Sequence, residues 1–379
     1  MTKHTPPAQT PSSRKLPDRI DSPGLKDIAA KVDAGVPVSR KDAAVMLKTH
    51  DILDLGIIAD HIRTRLYGKS TFYSVNMNLN YTNVCELRCP LCAYSCDKDD
   101  ENAFVLSLDE IENRMTRAAP LEIDEVHIVG GLNPDIEPDY YENMLRLIKK
   151  IRPDIHIVAF TAAEYDYFAK RNGLSLKEIF ARFMDSGLGA LPGGGAEIFA
   201  ERVREKIAPK KISGDRWLEV MAAAHESGLK ANATMLYNHI ENDDDIIDHL
   251  SRLRDFQDKT PVFKTFLPLL FHRENTEIKS RKDATGFDDI RIYATSRIFL
   301  HNFPHIKALW MYLGEKTAQI LQAFGVDDLG GTYHNEKVVH AAGADTSDFG
   351  TESFMRRLIS RAGFEPRRTA ADYRERKNP

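Results

Sequence analysis

The sequence predicts a parallel α/β fold of the (β/α)8 barrel type. Three observations carry that expectation. From residue 71 onward, short apolar runs alternate with longer amphipathic stretches seven or eight times, and such strand–helix repetition builds parallel sheets. The stretch 71–330 matches the roughly 250 residues of a barrel, although open doubly wound sheets share the pattern. All four cysteines lie between positions 85 and 96, directly after the first strand candidate. That is the face on which barrels of this type carry their chemistry.

Taken in order, residues 1–23 are polar, rich in proline and without the apolar core of a signal peptide, so a disordered tail is expected. Residues 24–70 read as a helical lead-in. Leu25, Ile28, Ala29 and Val32 repeat at helical spacing, Ser39 with Asp42 offers a helix start, and Ile52, Leu55, Ile58, Ala59 and Ile62 form a second stripe. The barrel is expected over 71–345, with strands at 72–80, 125–131, 155–160, 188–193, 231–237, 262–271 and 305–312. An eighth, short strand falls near Val326–Leu329. Helices are expected at 107–119, 138–152, 175–186, 213–228, 242–258 and 285–302. Residues 346–379 hold one more helix, Thr351–Ala362, with Gly363 as its C-cap, and then a tail.

The net charge of −4 gives no reason to expect nucleic acid or an anionic membrane as partner. No apolar run approaches the ~20 residues of a membrane span. A cytoplasmic enzyme is the expectation that remains.

Cys85, Cys89 and Cys92 read C-x3-C-x2-C. Three thiolates on so short a loop grip three irons of a four-iron cluster and leave the fourth iron open to an outside molecule. The alternative is a structural zinc site closed by Cys96. Disulfides fit less well, because no secretory signal is visible and cytosolic thiols stay reduced. Cys96, beside the acidic run Asp97, Asp99, Asp100 and Glu101, reads most simply as a bystander. The spacings of zinc deaminases, metalloproteases and P-loops do not occur.

Further candidates sit at strand ends. Gly130-Gly131 closes the second strand, as a tight turn or as backbone brought close to a ligand. Thr161 and Glu164 follow the third. Gly193, Gly194 and Gly195 follow the fourth without the spacing of a dinucleotide fingerprint, and they read as a bare wall beside a ligand. Glu197 is either an acceptor for a ribose diol or an acid at a helix N-terminus. The fifth strand ends in Asn232, Tyr237, His239 and Glu241, the sixth in His272, Arg273 and Asn275, and the seventh carries Lys307 and Trp310.

The cysteine spacing is the signature of the radical S-adenosylmethionine (SAM) superfamily, which the chain resembles. From about Leu25 to Ala344 it is similar to the aminofutalosine synthases, radical SAM enzymes of the futalosine route to menaquinone. The segments that carry the resemblance are NLNYTNVCELRCPLCAYS, HIVGGLNP, LPGGGAEIF, NATMLYNHIE, TGFDDIRIYATSRIFLHNFPHIKALWMYLG and FGVDDLGGT. His301 and Gly330 depart from it, standing where the family usually has acidic residues. The resemblance implies a 4Fe–4S cluster on Cys85, Cys89 and Cys92, with SAM chelated at the open iron. It implies SAM contacts at Tyr94, Gly130, Gly131, Thr161, Glu164, Gly195 and Glu197. It also implies a one-electron donor such as flavodoxin or ferredoxin. The implied co-substrate is 3-(1-carboxyvinyloxy)benzoate, with Asn232, His239, His272 and Lys307 as candidate partners for its carboxylates. The implied reaction adds the 5′-deoxyadenosyl group to the enol double bond, moves the aromatic ring and expels the carboxyl carbon. The product is 6-amino-6-deoxyfutalosine. Two alternatives stay open: the sibling cyclic dehypoxanthine futalosine synthase, and a zinc-stabilised binding protein without chemistry.

Overall fold

The computed structural model describes residues 15–279, 283–347, 349–374 and 376. The described residues form ten strands: β1 (Ser70–Ser74), β2 (Asn76–Leu79), β3 (Glu125–Ile128), β4 (His156–Ala159), β5 (Ala190–Leu191), β6 (Lys230–Tyr237), β7 (Phe263–Leu270), β8 (His305–Ile306), β9 (Asp328–Gly331) and β10 (Glu365–Thr369). Strands β2 to β8 form one parallel sheet in sequential order, and β10, β1 and β9 form a second. The helices between consecutive strands cover the sheet, as right-handed parallel crossovers require.

The two edges of the seven-stranded sheet are tied together. Asp328 of β9 bridges Lys307, just past β8, and His334 bridges Met77 of β2. The expected eighth strand is therefore a short, irregular segment, shifted by two residues from Val326–Leu329. Its glycines explain the irregularity. Gly330 has φ +79°, and a side chain at Gly331 would overlap the Asn76 amide.

Three expectations are corrected. The first strand, 72–80, is two strands in two sheets, because the chain bends at Val75, whose backbone pairs with Asp124. The alternation of residues runs through the bend and does not reveal it. The seventh strand ends at Ile306, and Trp310–Leu313 is a short helix. Trp310 is buried with its indole on Gly331 O at 2.8 Å, a placement that reads as apolar in either conformation. A further helix, Ala162–Asn172, starts at Thr161.

The expected disordered tail 1–23 lies outside the described residues as far as 14. From Lys15 the chain is docked. Leu16 and Ile20 are buried, and Asp54 accepts from the Asp21 and Ser22 amides at 3.0 and 2.7 Å. At the other end, β10 runs parallel to β1 and pairs Ser70 with Glu365. The chain then turns under the barrel, where Ala371 packs with Val158 and Ala190 in a small buried cluster.

Candidate functional site

The C-terminal ends of the strands surround a cavity of about 280 Å³. Cys85, Cys89 and Cys92 line it, and Cys96 does not. Backbone bonds brace the cysteine loop: Cys85 N–H to Cys96 O (3.2 Å), Cys92 N–H to Cys89 O (2.9 Å), Leu91 N–H to Ile207 O (3.1 Å) and Glu277 N–H to Pro90 O (2.9 Å). Burial pushes the Cys89 thiol up, and the charge of Lys211 opposes it. Among the described residues no three Cys, His, Asp or Glu side chains are grouped to hold one metal ion. A zinc site would gather its sulfurs within about 2.3 Å of one ion. A cluster instead takes each thiolate on a different iron, and three thiols spread along one cavity wall suit that demand. Two buried polar atoms in the same cavity, Tyr94 Oη and Asn80 Oδ1, have no partner among the described residues. Buried polar atoms are rarely left so unless a ligand or water completes them.

Beside the first cysteine, the Gly130-Gly131 turn is made tight by its neighbours. A Cβ at Gly131 would overlap Val84 O and come within 2.9 Å of Cys85 Cβ, while one at Gly130 would meet the Tyr81 ring. The amide of Gly131 is already spent on Thr82 O (3.1 Å), and that of Gly130 on Glu164 (3.2 Å). The glycine pair thus lets the second strand end abut the first cysteine.

Thr161 and Glu164, expected as SAM contacts, form a capping box at the start of the 162–172 helix. Both line the cavity, but Glu164 is buried and bonded to Thr161 N–H (2.6 Å) and Tyr81 Oη (2.8 Å). Burial raises its pKa to about 7. Tyr81 is itself fixed by edge-to-face contacts with Tyr141 (5.6 Å) and Phe160 (6.1 Å), each worth about 1 kcal/mol. Glu164 therefore holds the glycine turn in place.

Gly193 and Gly195 have φ of +86° and +88°, and a side chain at Gly193 would strike the Asn232 carbonyl. Gly194 and Gly195 line the cavity as bare backbone. Glu197 lines it too, in an ion pair with Lys211 at 2.7 Å. Burial works to raise the Glu197 carboxyl, and Lys211 overrides it and holds it below the usual range.

Below this cavity lies an inner chamber of about 150 Å³, which shares Val129, Thr161, Gly194, Thr234, Leu269 and Tyr312 with it. Asn232 and Lys307 line the inner chamber, together with Asn78, Glu125, His127 and Glu336. Asn232 Oδ1 and Asn78 Oδ1 are buried without partners among the described residues. Lys307 Nζ sits 3.1 Å from Asp328. His272 lines the upper cavity, with its Nε2 on Tyr312 O at 2.8 Å.

His239 is a correction. It lines neither space, and both ring nitrogens are engaged within its own turn: Nε2 with Leu236 O (3.1 Å) and Nδ1 with Ile240 N–H (2.8 Å). Glu241 caps the same turn, and Tyr237 bonds Asp289 at 2.6 Å. These polar residues build the end of β6 and line neither space.

Comparison with known proteins agrees with the cysteine geometry. The radical SAM superfamily model matches residues 79–253, and that of the CofH/MqnC C-terminal region matches 260–379. An aminodeoxyfutalosine synthase of Thermus thermophilus is 38% identical over 360 residues, covering 94% of this chain and 97% of that protein. The chain belongs to the radical SAM superfamily. Two Streptomyces coelicolor proteins of the superfamily are each 35% identical. One is an aminodeoxyfutalosine synthase, covering 90% of this chain and 92% of its own. The other is a cyclic dehypoxanthine futalosine synthase, covering 92% and 88%. The crystal structure of methylornithine synthase shares the fold, with a TM-score of 0.72 at 16% identity over 89% of this chain and 97% of that one. The chain is accordingly an enzyme of the radical SAM type.

Sequence reasoning missed Lys211, which sits in the run PKK and reads as a solvated charge cluster. It also missed Asn78, Glu125, His127 and Glu336. A signal for three of them exists. Asn76 and Asn78 in β2 with Asn80 just past it, and Glu125 and His127 in β3, recur at every second position of otherwise apolar strands. That period puts them on one face, and a polar inward face marks a barrel interior that binds something.

Proposed function

We propose that this enzyme is an aminodeoxyfutalosine synthase, joining the deoxyadenosyl group of SAM to 3-(1-carboxyvinyloxy)benzoate. The observation that carries this reading is the pair of connected spaces, one walled by three thiols and bare glycines, the other by polar side chains and no cysteine. Two reactants, one of them SAM, need two adjoining sites. When bound, a 4Fe–4S cluster on Cys85, Cys89 and Cys92 supplies the electron that opens a carbon–sulfur bond of SAM.

The chain's own residues do the rest. Gly130, Gly131, Gly194 and Gly195 give a wall without side chains, against which SAM lies. Glu197, held charged by Lys211, offers an acceptor for a ribose hydroxyl. Tyr94 Oη offers a further polar contact. Leu236, Leu269, Leu270, Phe271 and Tyr312 keep the middle of the cavity apolar, which shields a reactive carbon radical from water. Lys307, Asn232 and His272 are the partners for the co-substrate's polar ends. A one-electron donor such as flavodoxin or ferredoxin reduces the cluster in the cytoplasm.

The test is an anaerobic assay with reductant, SAM and the carboxyvinyloxybenzoate. Aminodeoxyfutalosine carrying the adenosine of SAM is the expected product. Release of free 5′-deoxyadenosine from SAM, without adduct, when the acyclic dehypoxanthine futalosine replaces the benzoate would assign the chain to the cyclase activity.

A further inference from the structure

The floor of the inner chamber shows a repeated construction. His127 and Lys307 are the two basic side chains that line the chamber. Each leans on a buried carboxylate. His127 Nε2 lies 3.0 Å from Glu125 Oε1, and Lys307 Nζ lies 3.1 Å from Asp328 Oδ2. Each carboxylate is in turn held by the same short C-terminal stretch. The Ala371 amide donates to Glu125 Oε2, and the Tyr373 hydroxyl donates to Asp328 Oδ2 at 2.6 Å. Ser74 adds a hydroxyl bond to Glu125 at 2.9 Å, and the Gly330 amide bonds Asp328 at 2.7 Å. The stretch is firmly seated. The Tyr373 ring stacks on His305 at 3.6 Å and 4°, and Arg368 pairs with Asp124 (2.9 Å) and Glu352 (3.0 Å).

With Glu125 on its Nε2, His127 keeps Nδ1 without a partner among the described residues. A carboxylate behind a histidine fixes the orientation of its ring. Lys307 has donors beyond the one that meets Asp328. Both side chains are therefore held by buried acids, Glu125 at the chamber wall and Asp328 outside the chamber's lining, and retain capacity toward the chamber. Lys264 is buried near Glu125 and Lys307 with its amine unpartnered among the described residues, and burial lowers its pKa to about 7.

We propose that His127 and Lys307 form a two-point anchor for the aromatic carboxylate of the co-substrate, and that the C-terminal stretch positions this anchor through Ala371 and Tyr373. The assignment rests on the synthase reading and gives the substrate a direction. The benzoate end sits on the floor, away from the thiols, and the enol end points up toward SAM. Ala371 and Tyr373 touch no substrate. They are positioning residues that act through Glu125 and Asp328.

The experiment measures equilibrium binding of 3-(1-carboxyvinyloxy)benzoate, and of its methyl ester at the benzoate carboxyl, to the anaerobic holoenzyme with SAM and no reductant. The wild type should prefer the acid by at least about tenfold, the worth of a charge-assisted contact. H127Q and K307M should each lose most of that preference by weakening acid binding alone. Tyr373→Phe should lower it severalfold, with iron content per chain unchanged. Equal binding of acid and ester by the wild type, or equal weakening of both ligands in all three variants, overturns the anchor. If Tyr373→Phe fails to fold, H127Q and K307M still decide the anchor, and A371P, which removes the amide donor, decides the positioning. A wild type that binds the acid selectively but forms no adduct under reduction leaves the anchor standing and sinks the synthase reading. Adduct formation without selectivity does the reverse.

Discussion

The upper cavity and the inner chamber are built differently. The upper cavity is walled by loops: the cysteine loop, the Gly130-Gly131 turn and the Gly193–Gly195 run, each continuous in sequence. The inner chamber is walled by single side chains sent inward from separate elements, Asn78 from β2, Glu125 and His127 from β3, Asn232 from β6 and Lys307 just past β8. The first kind of wall is a local property of the chain. The second exists only once the strands of the sheet are assembled, and each position in it can change independently.

The largest effects should fall on the upper wall. Cys85→Ala, Cys89→Ala or Cys92→Ala should each abolish iron and sulfide content together with activity. Cys96→Ala, off the cavity, should leave both nearly intact. An unchanged iron content in any of the first three would break the proposed division. Gly131→Val comes next. Its side chain would overlap Val84 O and crowd Cys85, so cluster loading and unfolding temperature should fall together. Gly286→Ala, with open space around it, is the control that should change neither.

Lys211→Met should cost roughly 3 kcal/mol, because it strands the buried Glu197 charge. Adding Glu197→Gln should recover most of that loss, and additive losses in denaturant unfolding would show that the pair is not coupled. Glu164 gives a smaller, pH-dependent effect. Its folded pKa of about 7 lies above the ordinary 4.5. Its contribution to stability is therefore full below pH 4.5 and is lost as pH rises from 4.5 through 7, by about 3 kcal/mol. Glu164→Gln should flatten that fall, so the variant gains on the wild type between pH 5 and 7.5 in unfolding temperature. In the inner chamber, Asn232→Ala should lower kcat/KM for the carboxyvinyloxybenzoate about fivefold with no change in iron content. His239→Ala, which touches neither space, should alter stability and leave the KM of that acid unchanged.

The same division explains what could be read in advance. The cysteine motif and the order of strands and helices are local patterns, and both were legible. Thr161 and Glu164 were also visible, yet a capping box and a ligand pair use the same residue types at the same spacing. His239 was misplaced because a polar residue at a strand end faces either the cavity or its own turn, and one rotation about the backbone decides which. Lys211 could not be found at all, since its burial depends on Glu197 and on the cysteine loop arriving from elsewhere in the chain.

The parallel pairing of β1 with β10 sets an order of events during synthesis. Ser70 must wait for Glu365, about 295 residues later, before its strand has both neighbours. During translation the upper wall and its cysteines are complete while the underside of the barrel still lies open. Glu125 and Asp328 become fully bonded only when the segment around Ala371 and Tyr373 has left the ribosome. A chain released early would carry an exposed acidic hollow in place of a sealed floor. Chaperones and proteases read such unfinished surfaces.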